Sequence, residues 1–279
     1  MLPNYWGSLM HYMRVSLIIT TYNRADALSL VLCSVESQTV LPKEVIIADD
    51  GSAKETQKMI LDFQENSNLN IIHSWQEDKG FRVAKSRNKA IAKSNDDYII
   101  LIDGDMILHK DFVRDHCSFS KPGYFVQGIR AKLSAKKVKK VFKTKQLNFK
   151  SFEGGIKNKR NSVRSNLFSY LFSGTRLFKR LSLLQTCNMA FFKNDCIKVN
   201  GFNEDFIGWG REDGEFGVRL MNIGIKRRDL KFKAIGYHIH HEGTSREMLE
   251  KNHQIYLKTL NNKLIWSNNG IDKHIKTGK

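Results

Sequence analysis

Four short aliphatic runs, each separated from the next by a helical pattern, constrain this chain more than any other feature. They are Val15–Thr20 (VSLIIT), Glu44–Ala48 (EVIIA), Asn70–Trp75 and Tyr98–Ile102 (YIILI). Helices are expected at about 25–37, after Ser52 as a cap, and over Val83–Lys93. Strands alternating with helices predict an α/β fold with a largely parallel sheet. In such sheets ligands bind beyond the carboxyl ends of the strands. Thr20–Asn23, Asp49–Asp50 and Asp103–Asp105 all stand at such ends, so three polar groups should converge on one crevice.

The order changes in the second half. Gln185–Phe192 reads as extended, Asp205–Gly210 as a loop and Glu212–Met221 as a helix. Strands near Ile225–Asp229 and Lys233–His238 follow, then a helix from about Ser245 to Asn261. With 41% hydrophobic residues and only three prolines, a disordered or collagen-like chain is excluded. Cys33, Cys117, Cys187 and Cys196 form no C-x-x-C pair, which suits a reducing compartment. No apolar run approaches the roughly 18–20 residues of a spanning helix. The first residues lack the pattern of a signal peptide, and Met13 is an alternative start. The expectation is a cytoplasmic protein.

Its positive charge is concentrated. Residues 130–180 hold 16 Lys/Arg against Glu153 alone, whereas the rest of the chain holds 30 basic and 27 acidic residues. Within that segment Leu167, Leu171, Phe178 and Leu181 recur at helical spacing beside Arg176, Lys179 and Arg180. Such a basic amphipathic helix favours an anionic membrane surface, at about 1 kcal/mol per well-placed cation. The alternative is a solvated segment whose apolar stripe packs on the core. Nucleic acid is not expected, because no recognisable module frames the interleaved aromatics.

Asp103-Gly104-Asp105 directly follows a strand, and two carboxylates so spaced can hold a divalent cation that also binds phosphate oxygens. Neither a G-x-G-x-x-G fingerprint nor a phosphate loop is present, so a bound diphosphate would need a metal to neutralise it. The histidine cluster His238, His240 and His241 offers two geometries. A continuing strand would pair His238 with His240, and a turn would bring His238 to His241. Imidazoles beside carboxylates suit Mn²⁺ or Zn²⁺. A second acidic pair, Glu212 and Asp213, follows Trp209 on a Gly-rich loop. An aromatic face with carboxylates suits a sugar, although a favourable helix start would explain the acids equally well.

Together, VSLIITTYNR, VIIADDGS, FRVAKSRNKAI and YIILIDGD resemble the nucleotide-sugar half of family 2 glycosyltransferases of the GT-A fold. TCNMAFF, GFNEDFIGWGREDGEFGVRL and YHIHHEGTSR resemble the acceptor module of chondroitin-type polymerases and β-1,4-galactosyltransferases. The resemblance implies a Rossmann-like domain with a mixed sheet and a basic helical insertion. The expected parts are a donor half (14–129), the insertion (130–184), an acceptor and catalytic half (185–262) and a tail (263–279). It implies that Thr20, Tyr22, Asn23, Asp49, Asp50, Arg87, Asn88 and Asp103 bind a UDP-sugar. Asp105, His238 and His241 would hold Mn²⁺ or Mg²⁺. Trp209, Glu212 and Asn188 would bind a saccharide or lipid-linked acceptor, and Asp213 would be the catalytic base assisted by Glu212. The activity implied is an inverting hexosyl transfer in bacterial surface polysaccharide or lipopolysaccharide synthesis, peripheral to the inner face of the cytoplasmic membrane. Alternatives are a saccharide- or nucleic-acid-binding protein and a metal-dependent nucleotidyltransferase. Two departures stand out: Arg211 occupies a position where glycine is frequent, and the basic segment has no general family counterpart.

Overall fold

A computed structural model describes residues 13–176, 184–243 and 245–275. The four expected strands form the parallel part of one eight-stranded mixed sheet. They are β1 (Val15–Thr21), β2 (Glu44–Asp49), β3 (Ile71–Trp75) and β4 (Tyr98–Asp103), arranged β3-β2-β1-β4. Alternation along β1 sends Leu17 and Ile19 to one face, where Leu28, Val31 and Leu32 of α1 (Ala25–Glu36) cover them. Ile18 turns to the other face, which packs on Ala84, Ala90 and Ile91 of α3 (Val83–Lys93). The intervening helix, α2 (Lys54–Asn66), is capped at Ala53, not Ser52. The Ser52 hydroxyl instead accepts from the Asn23 backbone N–H at 2.9 Å and ties two strand-end loops together.

The sheet continues through elements of the second half. β9 (Asn188–Phe192) runs antiparallel between β4 and β6 (Tyr124–Gln127), so the expected extended run starts three residues later than Gln185. β10 (Lys226–Asp229) lies parallel to β6. A second, three-stranded sheet has β11 (Gly236–His238) between β5 (Met106–Leu108) and β7 (Arg130–Lys132). Phe232 and Ala234 take left-handed backbone angles (φ 58° and 45°), which keeps β11 from starting at Lys233 as its composition suggests. The final helix begins at Leu249, not Ser245.

The basic segment is built into the fold at both sheets. Its first helix, α5 (Ala135–Thr144), places Val138 and Val141 against Ala131, Tyr237 and Ile239, so the apolar stripe here covers core. The expected long amphipathic helix is not formed. The helix α6 (Asn166–Phe172) stops after seven residues, and Gly174 opens strand β8 (Gly174–Arg176), which pairs antiparallel with β10. Ser173 fixes that ending, because its hydroxyl accepts from Lys231 N–H (2.9 Å) and donates to Lys231 C=O (3.1 Å). Phe178 and Leu181 lie outside the described residues. On α6, Leu167, Tyr170, Leu171 and Phe172 remain exposed.

Candidate active site

The carboxyl ends of β1, β2 and β4 open into a cavity of about 810 Å³. Its far wall is the loop carrying Trp209 and the start of α8 (Glu212–Asn222), so residues distant in sequence face each other. The tight turn after β4 sets one corner. Gly104 donates its N–H to Thr20 C=O at 2.7 Å, and a Cβ there would lie 2.8 Å from that oxygen. Only glycine lets the two aspartates approach β1 this closely.

Asp105 meets both expected histidines. His238 Nε2 is 3.3 Å and His241 Nε2 3.2 Å from Asp105 Oδ2. The strand ends at His238 and the chain turns, bringing the two rings to 5.2 Å while His240 faces outward. His241 Nδ1 lies 2.6 Å from Glu242 C=O, which can only accept, so this nitrogen carries a hydrogen. In the neutral ring Nε2 then presents a lone pair to a carboxylate oxygen, an arrangement that needs a proton or a metal ion between them. Burial drives His238 down to about 4, against the pull of Asp105, which favours its neutral, ligand-competent form. Asp105 Oδ1 is buried without a hydrogen-bond partner. This donor set of one carboxylate and two imidazoles fits a divalent cation.

Arg87 of α3 is the electrostatic centre of the opposite corner. Its guanidinium lies 3.0 Å from Asp213 Oδ1, 3.5 Å from Glu212 Oε1 and 3.7 Å from Asp103 Oδ1. Asp213 also accepts from the Thr186 backbone N–H (3.0 Å, on Oδ2) and hydroxyl (2.8 Å, on Oδ1). Three donors hold its orientation, and Oδ2 retains one acceptor position. Burial pushes Glu212 up to about 7, with Asp213 adding to the rise and Arg87 opposing it. Asp103 rises to about 6, again chiefly through burial and then through Asp105, although Thr20 donates to it at 3.0 Å.

Thr20, Tyr22, Asp50, Arg87, Asp103 and Trp209 all line this cavity. Asp50 is cradled by Gln76 Nε2 (2.6 Å) and Arg82 N–H (2.7 Å), and Tyr22 donates to Asp78 at 2.8 Å. Four other expected residues are not among those lining the cavity, and their side chains bond within the protein. Asn23 Oδ1 accepts from Ala53 N–H. Asp49 is fully buried against His73 and Ser52; burial alone would raise its carboxyl, but those hydrogen bonds hold it below the ordinary range. Asn88 joins the two halves by bonding Phe202 and Glu204. Asn188 is wholly buried between His116, Ile129 and Ala234. Conversely, Thr186, Arg130, Arg246 and Phe81 line the cavity without having been singled out. Thr186 begins the TCNMAFF motif, and that adjacency was the available signal.

Arg211 accounts for the earlier departure from glycine. It adopts φ 76° at the start of α8, and its guanidinium lies over the Tyr256 ring at 5.7 Å.

A sequence profile described as glycosyl transferase family 2 matches residues 16–185. The chain belongs to glycosyl transferase family 2. A second profile, described as the N-terminal domain of galactosyltransferase, matches residues 172–242. Among curated relatives, chondroitin synthase of Escherichia coli is 28% identical over 84% of this chain and 36% of its own length. Hyaluronan synthase of Pasteurella multocida is 30% identical over 75% of this chain and 23% of its own. The chain thus spans about a third or less of these polysaccharide synthases. S. aureus TarS 1–349 in complex with UDP-GlcNAc shares the fold, with a TM-score of 0.64 and 18% identity over 89% of this chain and 67% of that one. The mannosyltransferase PcManGT of Pyrobaculum calidifontis, in complex with GDP-Man and Mn²⁺, has a TM-score of 0.58 at 15% identity over 92% of this chain and 65% of that one. The architecture is therefore GT-A. No helix among the described residues is long and apolar enough to cross a membrane.

Proposed function

We propose that the cavity transfers a hexose or N-acetylhexosamine from a UDP-sugar to a saccharide hydroxyl, with inversion at the anomeric carbon. The observation that carries this reading is the meeting of Asp105 with His238 and His241 in the cleft that also holds Asp213. Asp105, His238 and His241 would hold Mn²⁺ or Mg²⁺. When bound, such an ion supplies charge stabilisation for the departing diphosphate. Thr20, Tyr22 and Asp50, which line the cavity, would receive the nucleoside, and Asp103 the ribose. Trp209, 41% exposed beside the cleft, offers its face to a sugar ring. Glu212 would receive an acceptor hydroxyl.

Asp213 Oδ2 would accept the proton of the attacking hydroxyl. That oxygen forms the new bond to the anomeric carbon from the face opposite UDP, and the bond to the diphosphate breaks with its electron pair leaving on UDP. Arg87 and Thr186 hold the Asp213 carboxylate in place throughout. A general base contributes about 10²–10⁴-fold, so Asp213→Asn should lose that much turnover. UDP-sugar affinity, read by thermal shift, should stay within about twofold because Asp213 stands on the acceptor side. Full turnover in the variant would remove Asp213 from the chemistry.

The acceptor is proposed to belong to bacterial surface polysaccharide or lipopolysaccharide synthesis, with the protein peripheral on an anionic membrane. The exposed Leu167, Tyr170, Leu171 and Phe172 of α6, within the basic segment, support that placement. Sedimentation with anionic vesicles tests it, and no binding even at low salt would reject it.

A further inference from the structure

A second cavity, of about 280 Å³, opens beside the first and shares Arg130 and Gln185 with it. This is close to the lower end of the roughly 300–1,000 Å³ typical of small-ligand sites, and suits one sugar unit. Its charge is one-sided: among the described residues Arg130, Lys132, Arg227 and Lys231 line it, against Asp229. Asp229 lies 2.7 Å from Arg227.

The walls are built rather than incidental. Asn158 Nδ2 and Asn161 Nδ2 both donate to Arg130 C=O (2.8 and 2.9 Å), and Asn158 Oδ1 accepts from Lys132 N–H at 2.6 Å. These bonds clamp the short helix Lys159–Ser162 of the basic segment onto β7. Arg130 extends toward the main cleft, with Nη1 3.4 Å from Cys187 Sγ. Gln127 lines the recess and is fixed by donating to the backbone oxygens of Gln185 and Asn188.

We propose that this cavity is an acceptor subsite for an anionic sugar unit, carrying a carboxylate or a phosphate, next to the unit that bears the reacting hydroxyl. The inference rests on the transferase reading above. A concave, walled recess adjoining the cleft suits a discrete anion better than it suits a flat bilayer. It also gives the basic segment a role in acceptor choice, since Arg130, Lys132, Asn158 and Asn161 all belong to it.

The test is titration calorimetry on the full chain in the presence of UDP and Mn²⁺. The probes are a uronate-bearing disaccharide, its carboxyl-reduced counterpart and a phosphate-bearing counterpart. One charged form should bind about tenfold more tightly than the neutral one at low salt, as expected for a charge-assisted contact. Screening should shrink that advantage several-fold at about 0.5 M salt. Lys132 is an exposed residue on the edge strand β7, so Lys132→Glu should fold and lose most of the preference, with Lys132→Gln intermediate. Preference for the uronate assigns a carboxylate, and preference for the phosphorylated form assigns a phosphate. Equal binding of all three forms, with UDP still raising the melting temperature, would overturn the subsite alone. Absence of any UDP effect would reject the transferase reading and the subsite with it.

Discussion

Replacing Glu212 by Gln should stabilise the fold above neutral pH while abolishing transfer. The Glu212 carboxyl is buried, and burial pushes it from 4.5 up to about 7, with Asp213 acting in the same direction and Arg87 against it. The unfolded chain gives up this proton near 4.5, whereas the folded protein keeps it until about 7. Between those values the folded state binds more protons, so stability falls as pH rises through that window. At about 1.4 kcal/mol per pH unit this group costs about 3 kcal/mol once the pH has passed 7. Glutamine keeps the volume, can still accept from Gly210 N–H through its amide oxygen, and has no proton to release. Urea denaturation of both proteins from about pH 5 to 8.5 reads the effect. The variant should gain on the wild type up to about pH 7 and level off above it. A pH-independent difference, or a wild type that gains on the variant as pH rises, would refute the reasoning. Under the proposed function, the gain in stability and the loss of activity would share one cause, the burial of a carboxyl that would receive the acceptor.

Three further outcomes are expected. Glu215→Ala strands the fully buried Arg219, which it holds through two bonds of 2.7–2.8 Å, and should cost about 3–5 kcal/mol in the same denaturation assay. Arg211→Gly frees a left-handed position from its side chain; the stacking on Tyr256 lost with it limits the gain, so stability should change by no more than about 1 kcal/mol. Gly104→Ala pushes the Asp103–Asp105 turn off Thr20 and should weaken Mn²⁺-dependent UDP binding about tenfold or more by calorimetry, as displaced metal supports generally do.

Much of the scaffold was legible because periodicity reports burial. The α3 boundaries match the Val83–Lys93 pattern, and the β1 and β4 runs are buried strands, as continuous aliphatic segments demand. The rule that ligands sit at strand ends located the cleft. It could not separate residues facing the cleft from residues that build its loops. Asn23, Asp49, Asn88 and Asn188 are polar and correctly placed along the chain, yet each satisfies backbone or buried partners that only the folded structure brings near. Thr186, in a loop, and Arg130, opening a strand of only three residues, carry no periodic signal that would mark them. In the basic segment, helical spacing held over Asn166–Phe172 and failed beyond Phe172, where pairing of β8 with β10 and the Ser173–Lys231 bonds outweigh local preference.

The most direct test of the central claim is pulsed electron paramagnetic resonance of Mn²⁺ bound to the protein with UDP. Imidazole nitrogen coupling to the ion should be present, and should diminish in His238→Ala and in His241→Ala. A spectrum with oxygen ligands alone, or nitrogen coupling untouched by either substitution, would contradict the meeting of Asp105 with the two histidines around one cation.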